Sequence, residues 1–234
     1  MSPTVSPTAT ITGKPLSGRT IVLDPGHNAL NSVYPKRAGA PVPAGGFTKP
    51  CNTSGTSTDD GFTEHAYAWD VAVRTAALLR AQGAKVILTR PDDHGFGPCV
   101  NQRAAISNAA HPDAMVSIHA DGGPASGYGF HVIEPGLAPD GGNRAIIAVS
   151  ARLALALRSA FKAATDEPYA TYLAHDGLDK RSDLAGLNLA RVPAVFLECG
   201  NMRNAGDAAR ERSAAFRQRA AEGVDRALVA FLGH

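Results

Sequence analysis

Apolar and polar positions alternate along this chain with two different periods, and the periods take turns. Short segments that are apolar on successive positions recur: "TIVLD" at 20–24, "AKVILTR" at 84–90, "AMVSIHA" at 114–120, "YGFHVIEP" at 128–135 and "PAVFLECG" at 193–200. Runs of this length and kind read as strands, several of them buried on both faces. Between them the apolar spacing becomes helical. The segment from Glu64 to Gly83 places Tyr67, Val71, Ala72, Leu78 and Leu79 on one side, with Thr63 as N-cap and Gly83 as terminator. Further helices are predicted over 100–111, ending before Pro112, over 142–163, and over 207–232. In the last of these Phe216, Ala220, Val224, Leu228 and Phe231 form one stripe. Strands alternating with helices predict a single α/β domain over 19–234, with a largely parallel central sheet covered on both faces. Residues 1–18, rich in Ser, Pro and Thr, read as an extended or disordered lead-in. The stretch 28–62 is a polar connection long enough to suggest a functional loop.

The strand ends carry the candidate chemistry. The first strand stops at Asp24-Pro25-Gly26 and leaves His27 at its mouth, the third delivers His119, and the fifth delivers Glu198. In parallel strands these groups emerge on one edge, where open α/β sheets bind ligands. The connection after the first strand starts the next helix at Glu64, on that same edge. Two histidines and a carboxylate make a catalytic zinc site with one open position. A further carboxylate can take a proton from water and hand it to a leaving amine. His27, Glu64 and His119 are therefore the candidate ligands, and Glu198 the candidate general base and acid. Each alone has an ordinary explanation: a loop histidine, a helix N-terminal acid favoured by the dipole, a satisfied strand-end histidine. Their shared edge argues for the set, as does the apolar run before Glu198.

Composition narrows the partners. The formal charge is +2, with no basic run or aromatic–basic interleaving of the kind that marks a nucleic-acid surface. No apolar run reaches the ~20 residues that span a bilayer. The three cysteines, Cys51, Cys99 and Cys199, form no CxxC pair, which argues against a thiolate zinc site.

The segments "VLDPGHN", "EHAYAWDVAVRTAALLRAQGAKVILTR", "NQRAAISNAAHPDAMVSIHAD" and "VPAVFLECGNMRNAGDA" resemble the zinc-dependent N-acetylmuramoyl-L-alanine amidases, from about residue 19 to the C-terminus. The resemblance implies a mixed, mostly parallel sheet flanked by helices and one Zn2+ per chain. It also implies hydrolysis of the amide between N-acetylmuramic acid and the L-alanine of the peptidoglycan stem. By this resemblance the metal ligands fall on His27, Glu64 and His119 and the catalytic glutamate on Glu198. Arg103 matches a family arginine, with a structural ion pair and a substrate contact as its two readings. Asn201 and Asn204 match a polar turn. Asp24 either orients His27 or caps the turn, and His175 lies in a loop that could reach substrate.

The loop 28–62 is longer than the resemblance leads one to expect, and it carries Cys51. Cys99 follows the loop 91–98, which leaves the same sheet edge, so a Cys51–Cys99 disulfide is expected, suited to an oxidising compartment. Cys199 reads as a buried, inert thiol, and the side of its strand that His131 faces is open. The expectation is an exported monomer acting on peptidoglycan or muropeptide fragments, its export signal absent from this chain. Two other readings compete: a zinc peptidase cutting within the stem, and a zinc-containing wall-binding protein without catalysis. A binding protein has no need of the spare carboxylate at 198.

Overall fold

The computed structural model describes residues 13–233. In chain order the elements are β1 (Thr20–Pro25), α1 (Pro35–Ala38), β2 (Pro41–Pro43), β3 (Thr48–Pro50), α2 (Glu64–Ala81), β4 (Lys85–Leu88), α3 (Val100–Ala110), β5 (Ala114–Asp121) and β6 (His131–Pro135). A 3-10 turn at Arg144–Ile146 then leads into α4 (Ile147–Thr165), β7 (Leu178–Arg181), α5 (Ala185–Asn188), β8 (Ala194–Asn201), α6 (Ala205–Arg212) and α7 (Ala214–Leu232).

Each of the five apolar runs becomes a strand of one six-stranded sheet, in the order β4-β1-β5-β8-β6-β7. The pairs β1–β4, β1–β5 and β5–β8 are parallel. β6 runs antiparallel to β8 and carries β7 parallel to itself, so the sheet is mixed and mostly parallel. Period-two alternation sorts the strand residues to two faces. Ile21, Leu23, Val116, Ile118, Val195 and Leu197 enter the larger core with α2, α4 and α7. Val22, Met115, Ile133 and Ala194 enter a smaller core with Leu187 of α5. The same alternation puts Asp24, Ser117, His119, Phe196, Glu198 and His131 on the smaller-core face, toward the edge where β1, β5 and β8 end.

Residues 1–12 of the expected lead-in lie outside the described residues. Of the remainder, Leu16 is fully buried in the larger core and its N–H donates to the Gln82 carbonyl at 3.0 Å. Thr63 takes the extended backbone of an N-cap, but its side chain makes no capping hydrogen bond. The segment expected as one helix over 207–232 is two, because Ser213 is extended (φ −71°, ψ 121°) between α6 and α7. Arg217 satisfies the carbonyls freed there, donating from Nη1 to Glu211 O at 2.9 Å and Arg212 O at 2.8 Å. In the expected stripe Phe216, Ala220, Val224 and Leu228 are buried and Phe231 is half-buried.

The polar turn after β8 has a fixed partner. Asn201 is fully buried; its Nδ2 donates to the Pro124 and Gly127 carbonyls and its Oδ1 accepts from Gly123 N. Asn204 caps α6, accepting from Gly206 N and Asp207 N, and donates to Ala125 O. Asp207 Oδ2 accepts from Gly129 N at 2.7 Å. These bonds hold the segment between β5 and β6 against β8.

The long loop 28–62 is organised by its own secondary structure. It contains α1 and the β2–β3 hairpin, and Cys51 at the end of that hairpin is disulfide-bonded to Cys99, the N-cap of α3. Val100 N donates to the Cys51 carbonyl at 2.8 Å, and Cys51 packs with Ala38 and Phe96 in a satellite cluster. The bridge spans 48 residues of sequence. Closing a loop of that size removes about 4 kcal/mol of chain entropy from the unfolded state, and native disulfides commonly contribute roughly 2–5 kcal/mol. Cys51→Ser with Cys99→Ser should lower the unfolding free energy by about that amount in a urea titration. A loss below ~1 kcal/mol would show that hairpin and helix hold each other without the bond.

Candidate zinc site

Three elements place the ligand set. β1 ends against β5, with Gly26 N donating to Ile118 O at 2.9 Å. His27 then adopts a left-handed backbone, φ 58°, uncommon for a residue with a side chain and a mark of a held turn. A Cβ at Gly26 would lie 2.4 Å from His119 Cε1, so only glycine lets the His119 ring pass beneath the turn. α2 begins at Glu64 and points its carboxylate toward both rings. His27 Nε2 lies 3.0 Å and His119 Nδ1 2.9 Å from Glu64 Oε1.

Neighbouring groups orient each ligand. His27 Nδ1 lies 2.9 Å from the Thr53 carbonyl; that oxygen can only accept, so Nδ1 donates its N–H and Nε2 is the nitrogen left to bind a metal. Glu64 Oε2 accepts from Thr56 N at 2.9 Å. The His119 ring stacks on Phe196 at 5.1 Å with 14° between planes. Burial works against charge at both His27 and Glu64, but each overcomes it through the other. Glu64 raises the His27 pKa, and the two histidines hold the Glu64 carboxyl well below the usual carboxylate range. Thr53 and Thr56 belong to the 28–62 loop, and sequence reasoning assigned them no part.

Among the described residues, His27, Glu64 and His119 are the one group of three metal-ligating side chains with ligand atoms within 4.8 Å of one another. Two imidazole nitrogens and one carboxylate oxygen, with a cavity of about 310 Å³ opening onto them, fit a zinc ion with an exchangeable fourth position.

The family model described as N-acetylmuramoyl-L-alanine amidase matches residues 21–230. The chain is 43% identical over 227 residues to the N-acetylmuramoyl-L-alanine amidase Rv3717 of Mycobacterium tuberculosis, covering 96% of this chain and 90% of that protein. The chain belongs to this amidase family. Solved structures agree. The amidase Ami1 of Mycobacterium smegmatis superposes with a TM-score of 0.87 at 44% identity, covering 93% of this chain and 98% of that one. The apo form of Ami1 from Mycobacterium abscessus gives 0.85 at 44% identity, covering 92% and 99%. Donor set and family together make this amidase a zinc metallohydrolase with one Zn2+ per chain.

Glu198 lines the same cavity as the triad, with Asp121 and Arg181 on its walls. It stands opposite His119 in the β5–β8 register. The side chain reaches the cavity, but Oε2 is enclosed and has no hydrogen-bond partner. Burial pushes the Glu198 carboxyl up to about 8; the His119 and Arg181 charges oppose this, while Glu64 and Asp121 reinforce it.

Asp24 and Arg103 lie one layer below the ligands. Arg103 Nη1 contacts Asp24 Oδ1 at 2.6 Å, and Thr89 and Ser117 hydroxyls also donate to that carboxylate. Arg103 donates further to the carbonyls of Pro25, at 2.6 Å, and His27, at 2.5 Å, and to Asn28 Oδ1. Asp24 makes no hydrogen bond to the His27 ring; it holds the arginine that holds the His27 turn. His175 is exposed, with Nδ1 3.4 Å from Asp176 Oδ2, and lines neither cavity at the triad. Cys199 is free and fully buried, and burial pushes its thiol well up.

Proposed function

We propose that Glu198 is the general base and acid of the amidase, and that the bond cut joins the lactyl carbonyl of N-acetylmuramic acid to L-alanine. The observation that carries this is a carboxyl beside the triad, in its cavity, whose enclosed Oε2 has no hydrogen-bond partner. Zinc held by His27, Glu64 and His119 supplies Lewis acidity toward the scissile carbonyl and acidifies the attacking water. Glu198, ionised, takes the water's proton and holds it until the amine departs. The proton then goes to the leaving nitrogen as the C–N bond breaks, giving a free carboxylate and a free peptide amine. Glu64, held ionised, would share the metal with the two ring nitrogens that face its Oε1.

Further parts of this reading concern context. The catalytic domain takes in 19–234 together with the preceding turn that buries Leu16, acts outside the cytoplasm and works as a monomer on peptidoglycan or muropeptide fragments rather than nucleic acid. The Cys51–Cys99 bridge supports an oxidising compartment, and the charge of +2 supports a partner other than nucleic acid. No described helix is long and apolar enough to cross a membrane. Light scattering on the eluted protein tests the monomer.

Incubation with N-acetylmuramoyl-L-alanyl-D-isoglutamine, followed by mass spectrometry, tests the reaction. The expected products are free N-acetylmuramic acid and intact dipeptide, lost on chelation and restored by added zinc. Release of D-isoglutamine would make the protein a stem peptidase instead.

A further inference from the structure

β6 enters the sheet at His131, directly opposite Glu198 in the antiparallel pair with β8. Residues in that relation share a face and keep their Cβ atoms about 4.5–5.5 Å apart. His131 is 1% exposed, and its Nδ1 has no hydrogen-bond partner. Glu198 Oε2, also enclosed, has none either. Buried polar atoms without partners cost stability, and a strand position that only had to pack would be better filled by a branched apolar residue. Two such atoms on neighbouring same-face positions therefore call for a joint explanation.

His131 lines neither cavity at the triad, so substrate contact does not explain it. It lies outside the ligand group, so metal binding does not either. The charged groups facing it are Asp121 at the end of β5, Arg181 at the end of β7 and Glu198 on β8. Burial pushes its imidazole down to about 4, with Asp121 opposing and Arg181 reinforcing. At neutral pH it is a neutral ring with one N–H to give.

We propose that His131 is a positioning residue for Glu198, donating its Nδ1–H to Oε2, through a small turn of the carboxyl or one bridging water. The bond holds one carboxyl oxygen against the sheet and leaves the other aimed into the cavity. This rests on the reading of Glu198 as general base.

The test compares His131→Phe, His131→Gln and the parent enzyme, each loaded with zinc, on N-acetylmuramoyl-L-alanyl-D-isoglutamine. His131→Phe should lower kcat roughly 10- to 100-fold with KM and zinc content unchanged, the usual size of losing a group that orients a catalytic one. His131→Gln, which keeps a donor of similar reach, should recover most of that loss. Unchanged kcat in His131→Phe, or equal losses in both variants, would overturn the proposal. If His131→Phe does not fold, His131→Asn replaces it: the shorter amide should fall while Gln holds. An independent readout is the 15N resonance of His131 Nδ1, which should move in Glu198→Gln; a resonance that stays put would overturn the proposal without reference to turnover. Failure of the parent enzyme to cut the substrate at all would count against the amidase reaction, and the resonance would still decide the role of His131.

Discussion

Glu198→Gln should lower kcat by about two to four orders of magnitude while leaving zinc content at the wild-type value and melting temperature at or above it. Glutamine keeps the shape of the side chain and loses only the capacity to accept and return a proton. The fold does not lean on the carboxylate: Oε2 has no hydrogen-bond partner, and burial already disfavours its charge. A neutral amide there relieves that cost. The triad is formed by other residues, so metal binding should survive. Steady-state kinetics with metal analysis on the same samples check both halves. Loss of zinc along with activity would make Glu198 part of the metal's own environment and remove it from the role of base.

Arg103→Ala should cost about 3–5 kcal/mol of unfolding free energy, because it strands the Asp24 carboxylate in the protein interior. Asp24 is 4% exposed and Arg103 3%, so solvent cannot take the place of the lost partner. The same change releases the carbonyls of Pro25 and His27, and with them the left-handed turn that aims the His27 ring. Zinc affinity should fall with stability, measurable by competition with a chromogenic chelator. Acid acts on the same pair. Burial alone would raise the Asp24 pKa, but Arg103 and the Thr89 and Ser117 hydroxyls bring it down to about 2. A folded value below the unfolded one contributes stability that is complete above about pH 4 and is lost as pH falls toward 2, some 2–3 kcal/mol in all. Urea midpoints at pH 6, 4 and 2.5 should decline in that order, and Asp24→Asn should flatten part of the decline. A midpoint independent of pH in that range would mean that Arg103 is neutralised elsewhere.

Much of this architecture was legible in the sequence, and the reasons differ by element. The parallel strands announce themselves because both faces are covered, so apolar residues run on successive positions. His27, Glu64, His119 and Glu198 were legible because each sits where such a strand ends or the following helix begins. β7 was not, because "LDKR" at the sheet's edge has no apolar run to betray it. The break at Ser213 was hidden because no Gly or Pro marks it: the residues on either side, "ARER" and "AAF", favour helix. Thr53 and Thr56 serve the ligands mainly through main-chain atoms, which leave no mark on residue type; only the Thr53 hydroxyl, 3.3 Å from His27 Nδ1, adds a side-chain contact. His131 could be placed on a strand, but its face depends on the register of an antiparallel partner about 67 residues away, which local pattern does not encode.

The reversed direction of β6 has a consequence for how the chain tolerates insertions and deletions. β1 and β5 reach the catalytic edge with their last residues, so a length change in the loops that follow leaves their side chains where they were. β6 arrives at that edge with its first residue, after the turn that Asn201 and Asp207 clamp. Loss of one residue from 122–130 that drew β6 along by one position would carry His131 to the opposite face and bring Val132 beside Glu198. The short Gly-rich turn before β6 is thus an unforgiving place to alter, and the 28–62 loop tolerates a length change only away from Cys51, Thr53 and Thr56, which are tied to Cys99 and to the ligands.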